Sequence, residues 1–189
     1  MLTVMMGGST CSVLDFDYDA QNYSIPLNFT SEAESSQLWG NASPKVIESL
    51  ASQNVTFNAH DNGLPPAKYD NSTSLQSFVT VLSTNVDRNG KEFVSSYEGI
   101  DYPIWGLQFH PSRLAYEWRD DEVMNHSLQA LQDMQYVAYF LYGQARKSTH
   151  AFPSKAAAEE ALIYNYAPVY TAPVCPTFQQ CYFWSTVEY

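Results

Sequence analysis

An α/β fold is what this sequence predicts, and three observations carry it. Short alternating strand patterns are separated by turn residues, one long stretch has helical periodicity, and the apolar content suits a single core. Of the 189 residues, 45% are apolar and 15% aromatic, which excludes an intrinsically disordered chain.

The first strand signal lies between Cys11 and Ile25, where Val13, Leu14, Phe16 and Tyr18 alternate with polar residues. Ser43-Pro44 then starts a short helix, because Ser is an N-cap, Pro suits the first helical turn, and Val46, Ile47 and Leu50 share a face. Val55 to His60 alternates as a strand and runs into a loop at Asp61-Asn62-Gly63 and Pro65-Pro66. Phe78 to Asn85 and Glu92 to Tyr97 read as the arms of a hairpin turning at Asp87-Arg88-Asn89-Gly90. Ile104 to Phe109 is a short apolar run that predicts a buried strand, ending at His110-Pro111 because Pro cannot donate to a ladder.

The clearest helix is 128–146, with Leu128, Leu131, Met134, Val137, Ala138 and Leu141 at three- and four-residue steps, and this stripe predicts a sheet-covering face. A second helix is expected within 154–163. The tail from Tyr164 onward is aromatic, broken by Pro and expected to be extended.

Nine Lys and Arg against twenty Asp and Glu give a net charge of −11 and a pI near 4.5, which disfavours nucleic acid as a partner. Apolar runs of about five residues fall far short of the roughly 20 that span a bilayer, so no membrane partner is expected. Asn-x-Ser/Thr occurs at Asn22, Asn28, Asn41, Asn54, Asn71 and Asn125, against about two expected by chance, which predicts a lumenal or secreted glycoprotein. The start Met1 to Met6 lacks the basic and apolar regions of a secretory leader.

The stretch Tyr102-Pro103-Ile104-Trp105-Gly106-Leu107-Gln108-Phe109-His110-Pro111-Ser112, followed by Tyr116-Glu117-Trp118, resembles the γ-glutamyl hydrolase family of class I glutamine amidotransferase-like hydrolases. Pro26 to Thr30, Leu82 to Asp87 with Glu98-Gly99, Leu162 to Tyr170 and Phe178 to Tyr182 agree in the same order. The resemblance implies a three-layer αβα sandwich and a cysteine-type hydrolase removing γ-linked glutamate from folate polyglutamates, in lysosomes, vacuoles or outside the cell. It requires no cofactor or metal and allows a homodimer.

On that resemblance residues 1–189 are the C-terminal part of a single domain, incomplete because the N-terminal strands and the nucleophile elbow are absent. Met1 falls within the helix after the elbow. Thiol hydrolysis needs a thiolate, a general acid/base His, a carboxylate that orients it, and oxyanion donors. His110 takes the position of the catalytic His, and His60 that of a His facing the substrate. Ser112 stands where the family has the acid, and Glu117 is a weaker substitute. Cys11 lacks the Gly-x-Cys-x-Gly context and reads as a structural thiol. Cys175 and Cys181 do not have zinc spacing and could form a local disulfide, while His126 and His150 are expected to be solvated. The alternative is a catalytically inactive member that binds a ligand or partner.

Overall fold

The computed structural model describes residues 2–8, 13–175, 178 and 180–184. They form a mixed α/β structure that divides into two compact units, 1–147 and 148–189.

In the first unit, α1 (Leu2–Gly7) precedes β1 (Ala20–Ile25), β2 (Asn28–Phe29), a 3-10 turn (Ser31–Ser35), α2 (Pro44–Ser52) and β3 (Thr56–His60). There follow α3 (Pro66–Asp70), α4 (Thr73–Phe78), β4 (Val79–Val86), β5 (Glu92–Gly99), β6 (Trp105–Leu107), α5 (Arg113–Tyr116) and α6 (Leu128–Ala145). One antiparallel sheet has the order β2-β4-β5-β6, and β1 pairs with β3 in a second.

The hairpin β4–β5 is closed by Asp87, whose buried carboxylate accepts from the N–H groups of Asp19, Asn89 and Lys91 at 2.8 to 2.9 Å. Gly90 supplies the left-handed φ of +80° that the turn needs. Next to β5, Tyr97 faces Gly106 of β6, and a Cβ there would lie 2.1 Å from the Tyr97 ring. Glycine is required at this crossing because the ring occupies the space of a side chain.

Ser43 caps α2 by accepting from the Val46 N–H, and Ser127 caps α6 by accepting from Ala130. The two helices are joined inside the protein: Ser49 donates to Asp133 Oδ2 at 2.6 Å while Gln129 donates to Oδ1 at 2.7 Å. Around them Leu38, Trp39, Leu50, Phe57, Leu82 and Leu114 close the largest core cluster.

Three sequence expectations are corrected here. The loop expected at Pro65-Pro66 ends one residue early, because Pro66 starts the short helix α3 and so acts as a helix start rather than as a loop residue; α4 follows, with the Ser72 hydroxyl accepting from Leu75. The strand expected over 104–109 is limited to β6, at the sheet edge and half-buried. The stripe of α6 is only partly covered: Met134 and Val137 are buried, whereas Leu128 and Leu141 are 72% and 61% exposed. The covered face is rotated toward Ala130 and Asp133, where Ser49 pulls the helix onto α2.

The second unit holds α7 (Lys155–Glu160), a 3-10 turn (Ile163–Asn165), β7 (Val169–Tyr170) and β8 (Gln180–Cys181), the last two paired antiparallel. Its Cys175 and Cys181 are free thiols, which corrects the disulfide expectation. Pairing sets Cys181 opposite Val169 and brings its Sγ within 3.4 Å of the Thr171 hydroxyl instead.

Candidate functional site

β6 delivers His110 through a short extended exit. The Gln108 N–H donates to Ser95 O, Phe109 is buried, and the His110 N–H donates to Phe57 O of β3, at 2.9 Å in both bonds. With Phe109 anchored in the core, the next side chain is exposed, so His110 stands at the surface where β3 and the β6 exit run together.

His60 ends β3 and is buried, with its ring edge-on to Phe93 at 4.7 Å between centroids. Its Nδ1 lies 3.0 Å from Asn62 O. A carbonyl only accepts, so Nδ1 carries the proton and Nε2 is left as an acceptor. That Nε2 is buried and has no partner among the described residues, and Asn58 Oδ1, two residues earlier on the same strand face, is in the same position. Burial holds the His60 pKa down to about 4, the Asn62 carbonyl opposes this, and the nearby His110 pushes it further down. Gln108 also donates to Asn62 O at 3.4 Å, tying the two histidine-bearing segments together.

His110 is itself held below the ordinary His range. Protein crowding one side of the ring is the larger cause and the Arg113 charge the next; Glu117 and Glu122 oppose them. Arg113 is the residue that sequence reasoning missed. Its guanidinium lies 4.7 Å over the Phe57 ring and donates to Glu117 Oε2 at 2.6 Å and to both Glu122 oxygens at 2.8 to 2.9 Å. The Glu117 carboxylate is therefore engaged by Arg113. Ser112, exposed at the head of α5, makes no side-chain cap, and among the described residues no carboxylate hydrogen-bonds His110. An acidic residue four positions after an arginine was the readable signal for this pair.

The remaining candidates separate. His126 is not solvated as expected: its ring stacks on Trp118 at 3.9 Å and 9°, and Nδ1 donates to Leu114 O at 2.7 Å. The flat Trp face gave the imidazole a partner that no local spacing revealed. His150 is exposed. Cys11 lies outside the described residues. Among the described residues no group of three or more His, Cys, Asp or Glu could hold a metal ion, and no helix is long and apolar enough to cross a membrane.

No family model matches the chain. It is similar to γ-glutamyl hydrolase B of Dictyostelium discoideum, with 41% identity over 155 residues covering 82% of this chain and 45% of that protein. The γ-glutamyl hydrolase of Homo sapiens is 38% identical over 87% of this chain and 51% of its own length. γ-Glutamyl hydrolase 1 of Arabidopsis thaliana is 32% identical over 81% and 44%. The chain thus spans about half the length of the curated relatives it matches. With this identity spread over most of its residues, the chain belongs to the γ-glutamyl hydrolase family.

Proposed function

We propose that this chain carries the acid/base part of a γ-glutamyl hydrolase that releases γ-linked glutamate from folate polyglutamates, a small-molecule substrate. The observation that carries the reading is the meeting of His110 with His60, through the His110–Phe57 hydrogen bond. In such a reaction a thiol gives its proton to His110 and attacks the γ-carbonyl as the thiolate, His110 passes that proton to the departing amine, and water deprotonated by His110 then releases the acyl group from sulfur. His60 is neutral, and its Nε2, buried and without a partner among the described residues, accepts an N–H or O–H of the substrate only where binding uncovers it.

The thiolate comes from polypeptide that completes a three-layer αβα sandwich in which this chain is the C-terminal part. A groove of about 470 Å³ supports that reading, because α5 and α6 leave Ala115, Tyr116, Leu131, Ala138 and Leu141 lining an apolar cleft beside His110. Six sequons support a lumenal, lysosomal, vacuolar or secreted parent protein.

The test is a chimera in which the portion of the Dictyostelium relative that this chain does not match is joined to it. Glutamate release from a folate polyglutamate is expected, with loss of at least about 100-fold in His110→Ala and a gain in Ser112→Glu, since an orienting acid is worth up to about 10⁴-fold. A chimera equally active with and without His110 would refute the assignment.

Ser112 and the engaged Glu117 favour a second reading, a member that binds a γ-glutamyl ligand without cleaving it. Calorimetry on the chimera distinguishes it: heat of binding with no glutamate released supports this reading, and glutamate release supports the first.

A further inference from the structure

Three of the six sequons meet at one groove of about 550 Å³, where Asn22, Asn54 and Asn125 line the walls with Tyr23, Arg88 and Val123. The three asparagines are in different chemical situations. Asn22 is a strut: its Nδ2 donates to Asp121 O at 3.0 Å, its Oδ1 accepts from the Val123 N–H at 2.7 Å, and its backbone takes a left-handed φ of +49°. Asn125 is also occupied, accepting from the Ser127 N–H at 3.0 Å and donating to Asn54 O at 3.3 Å, just before α6. Asn54, between α2 and β3, is exposed, and its side-chain amide makes no hydrogen bond among the described residues.

The groove beside Asn54 is already built. Arg88 donates to Asp19, to Gln21 O and to Asn22 O, and its guanidinium lies 4.4 Å over the Tyr23 ring. Amide and guanidinium groups on the walls suit sugar hydroxyls, and Val123 suits the apolar face of a pyranose.

We infer that Asn54 carries an N-linked glycan whose first sugars lie along this groove, while Asn22 and Asn125 serve the fold unmodified. The inference rests on the lumenal reading above. In the transfer, Asn54 Nδ2 forms a bond to C1 of an N-acetylglucosamine and loses a proton. The C1–O bond to a lipid diphosphate carrier breaks, and the carrier leaves with the electron pair. Thr56, the third residue of the sequon, is fully buried with its hydroxyl donating to Ile25 O at 2.6 Å, so transfer precedes the pairing of β1 with β3.

The experiment gives the full chain a cleavable signal peptide in secreting animal cells and maps glycopeptides by mass. Asn54 is expected to be modified and Asn22 and Asn125 unmodified in the secreted protein, with Asn54→Gln lighter by one glycan. An unmodified Asn54, or a secreted chain with glycan on Asn22 or Asn125, overturns the inference. Entry is forced in this design, so the lumenal reading stands or falls separately, on protease protection of the untagged protein in sealed vesicles from its own cells. In unglycosylated bacterial protein, Asn22→Gln is expected to lower Tm by about 3 °C and Asn54→Gln to leave it unchanged. Equal shifts would overturn the division between strut and free amide.

Discussion

The amide of His110 donates to the carbonyl of Phe57 at 2.9 Å, and this single bond places the exit of one sheet against the edge strand of another. Phe57 is three residues before His60, so the bond sets an exposed imidazole near a buried one. It also brings Arg113 over the Phe57 ring, where that residue can act on His110 electrostatically and hold Glu117.

The first prediction concerns acid. His60 has a folded pKa of about 4, below the unfolded value near 6.5, so the unfolded chain binds more protons between these limits. The stability of the neutral buried ring is present above pH 6.5 and is lost as pH falls through 6.5 toward 4, by about 3 kcal/mol in all. Urea unfolding at a series of pH values measures it. A His60→Leu variant with the same slope over this window would contradict the assignment.

Removing the turn carboxylate should be costly. Burial pushes the Asp87 pKa up, but its amide donors outweigh burial and hold it below the ordinary carboxylate value. Asp87→Ala leaves three N–H groups without their acceptor and should lose about 3 kcal/mol, read as an earlier urea midpoint. A loss below about 0.5 kcal/mol would show that water replaces the carboxylate.

Arg113→Gln is expected to raise the His110 pKa, because a cation beside the ring is removed while Glu117 and Glu122 remain to favour imidazolium. Proton-detected NMR titration of the His110 ring follows this directly. Stability should fall by about 2 kcal/mol, since both carboxylates lose a partner and Glu122 is largely buried. An unchanged or lowered His110 pKa would sink the electrostatic account.

Ser49→Ala removes one of the two donors to the fully buried Asp133 and should cost about 2 kcal/mol. Paired with Asp133→Asn in a double-mutant cycle, the two changes should be non-additive. Strict additivity would mean that the α2–α6 link is not what holds the helices together.

Several parts of this protein were written locally. Ser43-Pro44 announces a helix start because capping needs only a hydroxyl and the next turn, and Asp87-Arg88-Asn89-Gly90 announces a hairpin because a turn is closed within four residues. His110 was legible because a Pro follows a short apolar run, and the stretch around it carried the family resemblance. What was not legible depended on partners distant in the chain.

Sequence by itself determined the Ser43 cap of α2, the hairpin, the acidic surface and the family, since each rests on short-range chemistry or on residue order. Only the tertiary structure decided that His60 is a neutral acceptor, that His126 stacks on Trp118, and which face of α6 is covered. The physical reason is common to all three. Desolvation and ring stacking depend on what surrounds a side chain, and that is fixed by packing among elements far apart in sequence.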